Sequence, residues 1–250
     1  MKNKLVSLFF NRLFVRRTYG SLERSQIAMM AEERIAMRQI CRICEFLFAP
    51  SRKRSRMEIG MKVLGINGSA RKDGNTAIIM NQVFEELKKQ GIETEMVQFA
   101  GQVIEPCKAC WACGEQKNCV HRKDIFRETF DKMMEADGIL LGSPVYSANV
   151  SAGMQAFLER AAVVCDMNRG SLKMKYKVGA SVAALRRGGA MPALDAMNHF
   201  FLSQEMIVVG SSYWNMVYGQ MPGDVSRDEE GLLTMKNLGI NMAYVLQKLG

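Results

Sequence analysis

The chain has 250 residues, 48% of them apolar and 24% charged, the balance of an ordinary globular protein with enough length to bury a sizeable core. Its formal charge of +9 is unevenly spread: residues 1–60 hold 13 Lys/Arg against 5 Asp/Glu, and residues 61–250 hold 21 against 20. The longer part is therefore close to neutral, a balance that does not support a nucleic-acid-binding face on it, and no run of about 18 apolar residues offers a transmembrane helix.

Residues 1–60 read as a basic, weakly structured extension. Lys2 and Lys4 precede the apolar run Leu5 to Phe10, and Arg12, Arg16 and Arg17 follow. No small-residue cleavage signature comes after it, so a secretory signal is not the reading. A basic surface helix with Leu5, Phe9, Leu13 and Val15 is one alternative. An organellar transit peptide is another, against which Glu23, Glu32 and Glu33 count. The plainest reading is an extension translated upstream of an authentic start at Met61. Cys41 and Cys44 form an isolated C-x-x-C. The seven cysteines, an odd number with no secretory signal, argue against a disulfide framework and for a reducing, cytoplasmic location.

From Met61 the elements alternate. Lys62 to Asn67 is a short apolar, β-branched run and predicts a buried strand. A Gly/Ser-rich loop, 68–75, precedes a helix from about Thr76 to Gln90, with Ala77, Met80, Phe84 and Leu87 at helical spacing and Gly91 as its stop. Glu93 to Phe99 predicts a second strand. A cysteine-rich loop follows, then a helix from about Ile125 to Glu135. Gly138 to Gly142 predicts a third strand, and Met154, Phe157, Leu158 and Ala161 mark another helix. Lys177 to Ala184 predicts a fourth strand, 191–204 a helix, Met206 to Val209 a fifth strand and 231–249 a closing helix. Strands alternating with helices imply a parallel sheet covered on both faces. Five strands over this length fit an α/β, doubly wound, flavodoxin-like sheet of order 2-1-3-4-5, with a ligand crevice at the carboxyl ends of the strands.

Three loops would open on that edge. Asn67-Gly-Ser-Ala-Arg-Lys-Asp-Gly-Asn-Thr76 joins a strand to a helix start, where free N–H groups and the helix dipole favour a phosphate dianion and Arg71 can add a charged contact. A plain turn, with Asn75 or Thr76 as helix cap, is the bland alternative. Gly142-Ser-Pro-Val-Tyr-Ser-Ala-Asn149 is stiffened by Pro144 and carries a tyrosine able to stack on a flat ring; a structural turn is the alternative. The third is Arg186-Arg-Gly-Gly189.

Together these three loops resemble the NADPH-dependent FMN reductase family, over about residues 61–250. The resemblance implies that Ser69, Arg71, Asn75 and Thr76 hold the FMN phosphate. It implies that Pro144, Val145, Tyr146, Ser147 and Asn149 line the isoalloxazine, and that Gly188 and Gly189 approach its far side. NAD(P)H as co-substrate and a homo-oligomer are further implications. No side chain is needed as acid or base for hydride transfer to a flavin, so no conventional catalytic residue is expected.

The remaining motif is Cys107-x2-Cys110-x2-Cys113-x5-Cys119. Closely spaced thiolates select iron–sulfur clusters or zinc. Structural zinc usually takes two C-x2-C pairs separated by a longer loop, so a [4Fe–4S] cluster fits better, with zinc, free thiols or a transient disulfide as alternatives. The spacing resembles the iron–sulfur flavoprotein branch of the same family, which implies electron exchange between cluster and FMN with a small-molecule or ferredoxin-like partner. The branch's usual acidic pair after the last cysteine is replaced here by His121-Arg-Lys-Asp124. A cluster-free reductase and a non-catalytic flavin carrier or sensor are the rival functions. Cys165 reads as a buried small hydrophobe, and His121 and His199 as surface or packing residues.

Overall fold

The computed structural model describes residues 60–172 and 174–250. The N-terminal extension, including the Cys41/Cys44 pair, lies outside the described residues. Within them the order is β1 (Lys62–Asn67), α1 (Asn75–Lys89), β2 (Glu93–Gln98), α2 (Cys113–Gln116), α3 (Phe126–Glu135), β3 (Gly138–Pro144), α4 (Ala152–Met167), β4 (Val178–Leu185), α5 (Ala190–Ser203), β5 (Ile207–Val208), β6 (Met216–Tyr218), a short 3₁₀ turn (Asp224–Arg227) and α6 (Glu229–Leu249).

Every strand pair is parallel and the order is β2-β1-β3-β4-β5, the flavodoxin-like arrangement. Strand alternation divides the interior into two cores. Leu64, Ile66, Ile139, Leu141, Ala183 and Leu185 face Phe126, Phe130, Phe157 and Phe201 from α3, α4 and α5. Val63, Leu140, Val178, Ala180 and Val182 face Met80, Val83, Phe84 and Leu87 of α1 and Met235, Leu238 and Met242 of α6. Strands buried on both sides need near-continuous apolar runs, and all eight residues of β4 are buried. Two strand glycines let α1 lie close to the sheet: a Cβ at Gly142 would sit 2.2 Å from Met80 Sδ, and one at Gly65 2.5 Å from the Phe84 ring.

The fifth strand differs from the sequence expectation. It is split, giving six strands: β5 pairs with Val178 and Gly179, and β6 rejoins the same edge of β4 at Ala183 to Leu185. The residues between turn their polar groups to α6 instead. Ser211 Oγ donates to Thr234 O (2.6 Å), Asn237 Nδ2 to Ser212 Oγ (2.9 Å) and Asn241 Nδ2 to Gly210 O (3.0 Å). Of the backbone groups there, Gly210 O is matched by α6 rather than by a neighbouring strand.

Candidate functional site

The loop after β1 is folded by its own side chains. Asn67 Oδ1 accepts from Ser69 N (2.9 Å), and Ser69 Oγ accepts from Arg71 N (3.1 Å). Gly68 N donates to Gly142 O (2.8 Å), so this loop is bonded to β3 at its base. The N-cap of α1 is Gly74, with no side-chain cap and no acidic residue in the first turn. Neither Asn75 nor Thr76 caps the helix, and its first N–H groups are left for another acceptor.

The loop after β3 is locked to the first. Ser151 caps α4 by accepting from Met154 N (3.2 Å), while its hydroxyl donates to Gly68 O (2.7 Å) and its N–H to Ser143 Oγ (2.9 Å). Tyr146 and Asn149 exchange backbone hydrogen bonds (2.9 and 3.0 Å) across a two-residue turn. Both turn residues, Ser147 and Ala148, hold left-handed φ angles of 49° and 58°. Such conformations cost L-residues roughly 1–2 kcal/mol each, and a rigid loop of this kind persists where its surroundings over-determine it. Gly189, at φ 86°, backs onto this turn, where a Cβ would lie 2.7 Å from Ala148 Cα.

These loops enclose a crevice of about 150 Å³. Ser69, Arg71, Asn75 and Thr76 form one end, Pro144, Val145 and Tyr146 one wall, and Ala184, Leu185 and Arg186 the other. Ser147, Asn149, Gly188 and Gly189 stand outside that lining. Asn75 is committed locally: its Nδ2 donates to Met221 O (2.9 Å) and its Oδ1 accepts from Gly223 N (2.8 Å). It thereby holds a fourth loop, whose Gly219 and Gln220 complete the lining. Sequence reasoning missed this wall; the signal was the Gly219 and Gly223 pair flanking Pro222. Arg71 and Arg186 have no carboxylate partner among the described residues, so the crevice favours an anion. A larger hollow of about 380 Å³ runs past Cys165, Tyr176 and Gln204 at the amino end of β4, away from these loops. Burial pushes the Cys165 thiol up to about 12, which makes it inert.

The cysteine loop lies between β2 and α3. Cys113 and Cys119 are buried, Cys107 is half-buried and Cys110 exposed, and none of the four is in a disulfide. Ala109, Trp111 and Lys117 take left-handed φ angles of 48°, 58° and 54°. Helix α4 and its cap supply three anchors. Glu159 Oε1 accepts from Cys107 N (2.9 Å), Arg160 Nη2 donates to Cys119 Sγ (3.1 Å) and Asn168 Nδ2 donates to Cys113 O (3.1 Å). Burial raises the Cys113 pKa above its ordinary value, and the charges of Cys119, Cys107 and Cys110 add to the rise. His121 Nε2 lies 3.8 Å from Cys110 Sγ, a neighbour that spacing did not suggest. Among the described residues no three Cys, His, Asp or Glu side chains converge on a point able to hold a single metal ion.

The family model for NADPH-dependent FMN reductase matches residues 61–220. An iron–sulfur flavoprotein of Methanocaldococcus jannaschii is 38% identical over 194 residues, spanning 75% of this chain and 98% of that protein. One from Methanosarcina thermophila is 34% identical over 75% of this chain and 96% of its own length. Among solved structures, RosB with a bound 8-demethyl-8-formylriboflavin-5′-phosphate intermediate has a TM-score of 0.59 at 18% identity, covering 76% of this chain and 80% of that one. The flavoenzyme NAD(P)H:(acceptor) oxidoreductase FerB of Paracoccus denitrificans gives 0.56 at 16%, covering 75% and 98%. At those identities the two structures speak for the fold alone. The family model and the archaeal relatives go further: this chain belongs to the NADPH-dependent FMN reductase family.

Proposed function

We propose that this protein is an FMN-dependent oxidoreductase in which FMN in the crevice exchanges electrons with a [4Fe–4S] cluster on Cys107, Cys110, Cys113 and Cys119. One observation carries the flavin half. The crevice ends on a helix start that no side chain caps, beside an arginine with no carboxylate partner among the described residues, and Pro144, Val145 and Tyr146 form one of its walls. That is a seat for a phosphate next to a wall for a flat ring.

In this reading Ser69, Thr76 and the first N–H groups of α1 bind the phosphate, and Arg71 adds a charge-assisted bond. Asn75 holds the loop through Gly219 and Gln220 in place. Pro144, Val145 and Tyr146 lie along the ring, with Ser147 and Asn149 at its edge and Gly188 and Gly189 on the far side. Bound FMN supplies two-electron and one-electron chemistry at one centre, so it can join a hydride donor to a single-electron carrier. The protein binds, orients and tunes it; no side chain is assigned as general acid or base.

The cysteine loop fits a cluster by its donor set. It has four free thiols in one segment, two of them buried, with a buried guanidinium on Cys119. A [4Fe–4S] cluster gives each thiolate its own iron, so the four need not meet at one ion. Helix α4 links the sites. Ser151 at its cap holds the flavin loops and Arg160 holds Cys119, nine residues or about 13 Å along the helix. A ferredoxin-like carrier or NAD(P)H would supply electrons, and a cytoplasmic homo-oligomer is the working form.

A second reading, an NAD(P)H-dependent reductase with free thiols, is supported by the family model, which is named for that activity. Anaerobic purification followed by flavin, iron and sulfide analysis separates the two. One FMN with four irons and four sulfides per chain supports the first, and FMN without iron supports the second. A protein with neither contradicts both.

A further inference from the structure

Arg160 is a cation in an apolar interior. It is 2% exposed, the bulkiest of the fully buried side chains among the described residues, on a helix face shared with Phe157 and Ala161. Burying a guanidinium is costly unless its donors are matched, and an apolar side chain of like volume would pack here at lower cost. Its partners are specific. Nη1 donates to Asp124 Oδ2 and to Glu105 O (3.0 Å), Nη2 donates to Cys119 Sγ (3.1 Å), and the group stacks 4.1 Å above the Phe126 ring. Nε has no partner.

Asp124 also accepts from Glu105 N (3.0 Å) and Phe126 N (3.3 Å). The ion pair therefore fixes both flanks of the cysteine loop. That alone would be a structural strut, and it would be complete without the sulfur. The bond to Cys119 Sγ is the part a strut does not need. A neutral thiol is a weak acceptor, whereas a thiolate takes a strong, charge-assisted bond from a guanidinium.

We propose that Arg160 is a positioning residue for Cys119: it aims the fourth sulfur at the other three and, by donating to that thiolate, makes a cluster held there harder to strip and easier to reduce. The proposal rests on the cluster reading above. Hydrogen bonds to the sulfurs are among the factors that set the potential of such clusters. Removing the outer partner of a metal ligand commonly costs 10–100-fold in affinity.

Two variants of the full chain test it. R160K keeps a charge near Asp124 but loses the planar fork. The double variant R160M/D124N removes the pair together and leaves no buried charge unmatched. Each is purified anaerobically with wild type, and bound FMN serves as the check that the fold is intact. Two quantities are read: the chelator concentration that removes half the iron, and the midpoint potential of the remaining cluster in a reductive titration followed by EPR.

The expected result is full FMN in all three and a roughly tenfold fall in the stripping concentration for R160M/D124N. Its midpoint should be more negative, with R160K between it and wild type. Iron lost more readily at an unchanged midpoint would reduce Arg160 to a strut and overturn the proposal, as would wild-type values for both quantities. Wild-type protein without iron and sulfide would sink the cluster reading, and the proposal with it. A wild-type cluster indifferent to both variants would sink the proposal alone.

Discussion

At the scale of single residues the crevice depends on a few groups with distinct duties. Arg71 is exposed and takes no part in the core, so Arg71→Ala should leave the melting temperature unchanged. A lost bond to a phosphate is worth about 1.5 kcal/mol or more, so FMN affinity should fall roughly tenfold, as read by flavin fluorescence. Gly189→Ala should act otherwise. Its Cβ would meet the Ala148 backbone at 2.7 Å while holding φ at 86°. Two loops must then part, with about 1–3 kcal/mol lost in a denaturant melt and weaker FMN binding. That Ser69, Arg71, Thr76 and Pro144 to Tyr146 share one crevice was legible, because each sits in a turn at the carboxyl end of a strand. The Gly219–Gln220 wall was not, because Asn75 reaches it across about 146 residues of sequence. The bond from Arg160 to Cys119 was hidden in the same way, on a helix that reads as merely amphipathic.

Among the elements, α4 has the widest reach, since its N-cap holds the two crevice loops together while its middle and C-cap anchor three points of the cysteine loop. On the opposite edge, Glu95 of β2 receives Lys62 of β1 (2.7 Å) and Lys132 of α3 (3.0 Å). The Lys62 hydrogen bond, then that from Lys132, holds the Glu95 carboxyl below its ordinary value of 4.5, against the opposing effect of burial. A depressed carboxylate binds its proton more tightly once unfolded, so its contribution is present above about pH 4.5 and fades as the pH falls through the lower folded value. Glu95→Gln should cost about 1 kcal/mol or less at neutral pH, because the group is partly solvated. Part of the stability loss between pH 5 and pH 3 should vanish with it in urea melts. Helices and strands with unbroken periodicity were legible from their patterns. The split of the fifth strand was not, because the deciding partners of Ser211, Ser212 and Gly210 lie on α6.

On the scale of the whole molecule, two apolar cores clamp a parallel sheet whose carboxyl edge carries the crevice, and that order followed from the alternation of strands and helices alone. The cysteine loop is a separate attachment on the α4 side, bonded through side chains more than through the sheet. Cys119→Ser should therefore remove iron while leaving FMN binding within about twofold, since loops can change without disturbing the scaffold beneath them; flavin and iron assays on one preparation would show it. The proposed function requires that the carboxyl-edge crevice seat FMN through its phosphate. It is tested most directly by titrating flavin-free protein into FMN and into riboflavin while following flavin fluorescence. Saturable quenching of FMN at micromolar protein, one per chain, with riboflavin bound at least about tenfold more weakly for want of the phosphate contacts, is the expected result. Equal binding of the two, or no saturable binding of either, would contradict it.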